Sequence, residues 1–71
     1  MKANFYKQLS GQSIKEATLL CSKNIESIPE IDMFIKFSGQ YFKVIKIIFN
    51  IDTIEYDIYM KNMEIKVYFN I

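Results

Sequence analysis

Tyr41-Phe42-Lys43-Val44-Ile45-Lys46-Ile47-Ile48-Phe49-Asn50-Ile51 is the stretch on which the fold turns. It is rich in β-branched and aromatic residues and lies between Ser38-Gly39-Gln40 and Asp52-Thr53, so it reads as a strand between two turns. At period two, Tyr41, Lys43, Ile45, Ile47, Phe49 and Ile51 fall on one face, and Phe42, Val44, Lys46, Ile48 and Asn50 on the other. Both faces are largely apolar. A long strand that bends and exchanges faces at a bulge near Ile45 to Ile47 satisfies this pattern, as in small closed sheets. A strand covered on both sides by a partner satisfies it too.

The flanking segments are also strand-like. Ile54, Tyr56, Ile58 and Met60 alternate with Glu55, Asp57, Tyr59 and Lys61. Met63, Ile65, Val67, Phe69 and Ile71 alternate with Glu64, Lys66, Tyr68 and Asn70. Lys61-Asn62 suits a tight hairpin between these two runs, since Asn tolerates positive φ. Gly39 supplies the left-handed position between Met33–Phe37 and the long strand. Four strands joined by short turns predict a small antiparallel meander.

The N-terminal third is ambiguous. Asn4 to Leu9 reads as a short strand. After Ser10-Gly11-Gln12, Ser13 and Glu16 form a capping-box pattern, and Ile14, Ala17, Cys21, Ile25 and Ile28 recur at helical spacing. Yet Ala17, Leu19 and Cys21 also alternate with Glu16, Thr18, Leu20 and Ser22 as a strand would. A single helix near 14–24, giving an α+β fold, and a further strand both remain open. Pro29 closes the segment in either case, because the residue before a proline is pushed to extended backbone.

The length of 71 residues implies one small domain over 1–71. A domain of this size buries only about 60% of the surface its unfolded chain exposes. With 51% hydrophobic and 15% aromatic residues, some apolar surface is expected to remain for a partner or a second copy. The formal net charge is +1, and there is no arginine, histidine or tryptophan. Arginine's rigid donor fork is the usual reader of phosphate and guanine, so a strong DNA-binding footprint is not expected. A lone cysteine, Cys21, forbids an internal disulfide. No signal-peptide pattern opens the chain, and no uncharged apolar run approaches the ~18 residues that cross a bilayer. These features predict a soluble protein of a reducing, cytoplasmic compartment with no membrane partner.

From Ile28 onward the chain resembles small β-barrel proteins of phages and of Bacteroidetes-type genomes. The residues that carry the likeness are Ile28-Pro29-Glu30-Ile31-Asp32, Phe34-Ile35-Lys36-Phe37, Gly39-Gln40-Tyr41-Phe42-Lys43-Val44, Phe49-Asn50-Ile51-Asp52 and Asp57-Ile58-Tyr59. The resemblance implies a mostly β, SH3-like barrel of mobile-element origin. Ile31-Asp32-Met33 stands where such proteins commonly carry Gly-Asp in the first turn. The matching positions are turn and core positions, so no functional residue is carried over.

Little in the inventory suggests catalysis. General acid–base chemistry most often uses histidine, which is absent. Cys21 has no histidine to activate it and falls on an apolar stripe in either reading, as expected of a buried small hydrophobe. Ser10, Ser13 and Ser22 lack a base, and the two glycines cannot form a phosphate loop. Asp52, Glu55 and Asp57 offer too few oxygens for a dedicated calcium or magnesium site and read as turn and solvated-face charge. No enzyme activity, metal or cofactor is expected.

The remaining candidates are partner-binding. Alternation places Tyr59, Lys61, Lys66 and Tyr68 on the outer face of the last two strands, with Tyr41 and Lys43 as further candidates. Exposed tyrosines favour protein interfaces. The leading expectation is a non-catalytic protein that binds a host protein, most specifically a phage or mobile-element inhibitor of a host defence protein acting in the host cytoplasm. Homo-oligomer formation through the Tyr41–Ile51 strand or the final strand is a natural accompaniment. The first alternative is a small nucleic-acid-binding barrel, whose lysines follow phosphate while tyrosines stack bases; Glu55, Asp57 and Glu64 on the same face oppose it. The second is a structural or assembly component of a phage or mobile element.

Overall fold

A computed structural model describes residues 1–63 of the chain. It contains five strands: β1 (Lys2–Lys7), β2 (Thr18–Asn24), β3 (Phe34–Phe37), β4 (Gln40–Asn50) and β5 (Glu55–Met63). They form one sheet in the order β2-β1-β5-β4-β3, curled into a half-barrel. The fold is mostly β, as the alternation predicts. The meander holds for β3, β4 and β5, which pair antiparallel in sequence order. β1 enters beside β5 in parallel, so the sheet as a whole is mixed.

The long strand bends where its two apolar faces require it to. The register of β4 on β5 shifts between Val44 and Lys46, leaving Ile45 as the extra residue of a bulge. Val44 lies opposite Met60 and Ile47 opposite Ile58, so the inward face changes from even-numbered to odd-numbered positions across the bulge. That inward face collects Ala3, Phe5, Phe42, Val44, Ile58 and Met60 into a buried cluster, with Ile35, Phe37, Ile47, Tyr56, Leu20, Cys21 and Ile25 packed around it. Each large member contributes about 1.5–3 kcal/mol by leaving water.

The turns vary in how well the sequence anticipates them. Ser38 and Gly39 have φ of 51° and 77°, and Phe37 pairs with Gln40. Two consecutive positive-φ residues match the sense of twist that a two-residue hairpin needs. The second predicted hairpin, at Lys61-Asn62, does not form. β5 runs through it to Met63, with Lys61 opposite Lys43, Asn62 opposite Phe42 and Met63 opposite Tyr41. Three additional pairings with β4 outweigh the turn preference of one asparagine, whose amide instead donates to Gln40 Oε1 at 2.9 Å. The predicted strand Met63–Ile71 lies, from Glu64 on, outside the described residues.

The helix expected as one alternative near 14–24 is a single 3-10 turn, Ile14–Glu16, followed by β2. The Ser13–Glu16 pair is local and present: Ser13 Oγ donates to Glu16 Oε1 at 3.0 Å. An eleven-residue helix would be marginal by itself, being shorter than about 12–15 residues. β2 instead completes the open side of β1, and a register shift between Phe5 and Tyr6 aligns Cys21 with Phe5 and Leu19 with Tyr6.

Candidate basic and aromatic face

The outward face of the sheet is divided by charge. In the β1–β2 half, Asn4 Nδ2 donates to Glu55 Oε2 at 2.9 Å and to Asp57 Oδ1 at 3.0 Å, while Ser22 Oγ donates to Asn4 Oδ1 at 2.6 Å. Lys2 Nζ pairs with Glu55 at 2.9 Å. The Asn4 and Lys2 hydrogen bonds hold the Glu55 carboxyl below its ordinary pKa of 4.5. Of the acidic trio in the sequence, Glu55 and Asp57 are joined by Asn4, whereas Asp52 belongs to the β4–β5 turn. Among the described residues, no cluster of three or more carboxylate or cysteine side chains is placed to hold a metal ion.

Tyr6 and Tyr59 form the boundary between the halves. Their rings stack at 4.9 Å with 14° between planes, and Tyr59 is buried. Burial raises both phenols above the ordinary 10.0, with Asp57 adding to each. Tyr59 thus lies on the outward face expected for it, spent in a stack instead of exposed to a partner.

The β3–β4 half is basic. Lys43 and Lys61 stand directly opposite each other across β4 and β5, a separation of about 5 Å between Cβ atoms. Phe34 is Lys43's neighbour on β3, and Lys36 faces Tyr41. The Lys36 ammonium sits 5.6 Å from the Tyr41 ring centroid. Lys46, opposite Tyr59, shares this face because of the bulge at Ile45. Phe34 and Tyr41 are exposed at 54% and 39%. One carboxylate approaches, Asp32, at 3.2 Å from Lys43. This ion pair is exposed and contributes little binding of its own. The face therefore presents four lysines around two accessible aromatic rings.

The structure brings Tyr41, Lys43 and Lys61 together from the six sequence candidates. Lys66 and Tyr68 lie outside the described residues. Phe34, Lys36 and Lys46 complete the patch. Lys46 is the residue that strict alternation assigns to the opposite face from Lys43, and the face exchange at the bulge is the signal that reunites them. No helix among the described residues is long and apolar enough to cross a membrane. No family model, curated protein or solved structure matches the chain.

Proposed function

We propose that this chain is a non-catalytic binding protein acting through protein–protein contact, most specifically an inhibitor carried by a phage or mobile element and directed at a host defence protein. The observation that carries the contact reading is the juxtaposition of Lys43 and Lys61 beside exposed Phe34 and Tyr41. Like charges directly opposite on a sheet cost stability, and accessible rings beside them add nothing to the core. Both features become favourable against an acidic partner that neutralises the lysines and covers the aromatics. The inhibitor reading is narrower and rests on the likeness of Ile28–Tyr59 to phage proteins.

Single-stranded nucleic acid is the second reading, favoured by the same lysines with Phe34 and Tyr41 as stacking platforms. Glu55 and Asp57 on the adjoining half of the face, and the absence of arginine, weigh against it.

The test is affinity capture from a bacterial lysate with and without nuclease, using wild type and the Lys43→Glu/Lys61→Glu variant. A stoichiometric protein that survives nuclease and is lost with the variant supports protein contact. Capture that disappears with nuclease and with salt transfers the face to nucleic acid. Equal capture by wild type and variant removes this face from the account.

A further inference from the structure

We propose that two copies of this chain pair through the distal edge of β4, antiparallel about a two-fold axis at Ile48, to form one continuous sheet. β3 is short and covers only the first part of β4, pairing Phe34–Phe37 with Lys43–Gln40. The Val44 carbonyl accepts from Asp32 N–H at 2.8 Å, and Val44 N–H donates to the Met33 carbonyl at 2.9 Å, which ends that cover. From Ile45 to Asn50, no strand among the described residues pairs with the side of β4 that faces away from β5.

The direction of the backbone groups follows from the hydrogen-bond pattern. The Met60 carbonyl accepts from Gln8 N–H and so points toward β1; by alternation Ile58 and Tyr56 do the same. Ile47 and Phe49 lie opposite Ile58 and Tyr56, so their N–H and C=O groups point to the open side. Such a row is a template for strand pairing, and native proteins usually blunt it with charge, proline or a cover. Here it carries Ile48 and Phe49, exposed at 37% and 47%, and continues into Ile51 and Ile54, at 77% and 72%.

The occupant is set by complementarity. When β4 meets a second β4 with Ile48 opposite Ile48, Ile47 falls opposite Phe49 and Lys46 opposite Asn50. Apolar positions then meet apolar ones, the Ile47 N–H donates to the Phe49 carbonyl of the other copy while that Phe49 N–H donates back to the Ile47 carbonyl, and Lys46 approaches Asp52 of the other copy diagonally. A shift of two pairing positions one way sets Ile48 against Asn50. Shifts the other way bring Lys46 against Ile48 and then against Lys46. The Ile48-centred register satisfies the backbone pattern and is the one that sets no apolar side chain against Asn50 or Lys46. It also leaves the basic face at Lys43 and Lys61 free, so its failure and that of the proposed binding function are separable.

The experiment is sedimentation equilibrium of the full chain from micromolar to millimolar concentration, with two variants. Ile48→Lys sets two ammonium groups on the axis and should raise the dimer dissociation constant at least about a hundredfold. Ile48→Cys on a Cys21→Ser background should cross-link to itself on mild oxidation, because a non-hydrogen-bonded pair brings Cα atoms within disulfide reach. The equivalent Phe49→Cys chain should not. A monomeric wild type, or an Ile48→Lys variant that dimerises as tightly, overturns the proposal. A dimer whose Ile48→Cys variant fails to cross-link, or whose Phe49→Cys variant cross-links equally, overturns the register.

Discussion

At φ 56° and 72% exposure, Ile54 holds a left-handed backbone without glycine's freedom or a buried contact to compensate. A left-handed conformation costs a β-branched residue about 1–2 kcal/mol. Asparagine tolerates it better, so Ile54→Asn should stabilise the isolated chain by about 1 kcal/mol and raise its melting temperature by about 4–8 °C. Thermal unfolding at a concentration low enough to keep the chain monomeric measures this. A lower melting temperature there would show that Ile54 makes a contact the strain argument overlooks. Glu55 supplies a second prediction. Its carboxyl is held below 4.5 by the bonds from Asn4 and Lys2, so between the folded and unfolded pKa values the unfolded chain binds more protons. The associated stability is full above the unfolded value and is lost as pH falls through the folded one. Urea midpoints across the acidic range should show this loss in wild type and a flatter profile in Glu55→Gln. Parallel profiles would remove Glu55 from the acid response.

At the scale of the element, β4 explains both halves of the molecule. Its bulge at Ile45 keeps Phe42, Val44, Ile47 and Phe49 on the inward side while placing Lys43 and Lys46 together outside. The bulge accords with the two apolar faces of the sequence, which a straight strand satisfies only when a partner covers both sides. The absent hairpin at Lys61-Asn62 was not legible, because pairing with Tyr41–Lys43 depends on register across more than a dozen residues of chain. That pairing creates the Lys43–Lys61 opposition, and Lys61→Glu should reverse it. Replacing a like-charge pair with an opposite one across a sheet adds about 0.2–1 kcal/mol. The variant should therefore unfold at higher urea while losing its captured partner. Loss of both stability and binding would mean that Lys61 has a structural role that its place opposite Lys43 does not reveal.

For the whole molecule, the balance between core and surface is decisive. Among the described residues, seven apolar side chains are buried and thirteen large ones are exposed, so the composition exceeds what one half-barrel can cover. The edges of the sheet face each other across its opening: Cys21 and Lys23 of β2, and Ile35, Lys36 and Phe37 of β3, line an apolar cavity of ≈ 120 Å³ floored by Phe5 and Met60. With total stability of about 4–10 kcal/mol expected at this length, the core has little reserve. Phe42, 2% exposed in that core, should cost about 3–5 kcal/mol when replaced by alanine. Urea unfolding followed by circular dichroism at 25 °C should find the Phe42→Ala midpoint far below that of the wild type. A fully folded variant with an unchanged urea midpoint would place the stabilising contacts elsewhere.

From residue types alone the chain is strand-rich, β4 must either change faces or be covered on both, the turns fall at Ser38-Gly39 and Asp52-Thr53, and apolar surface is expected to be left over. These are local or compositional properties, set by side-chain alternation, by turn residues and by the ratio of surface to volume in a small domain. The tertiary structure alone decided that Thr18–Asn24 is a strand, that β1 lies parallel to β5, that β5 continues past Lys61, and which lysines share a face. Each of those depends on pairing between segments distant in the chain. A ladder of backbone hydrogen bonds and one shared core outweigh propensities that, residue by residue, differ by less than about 1 kcal/mol.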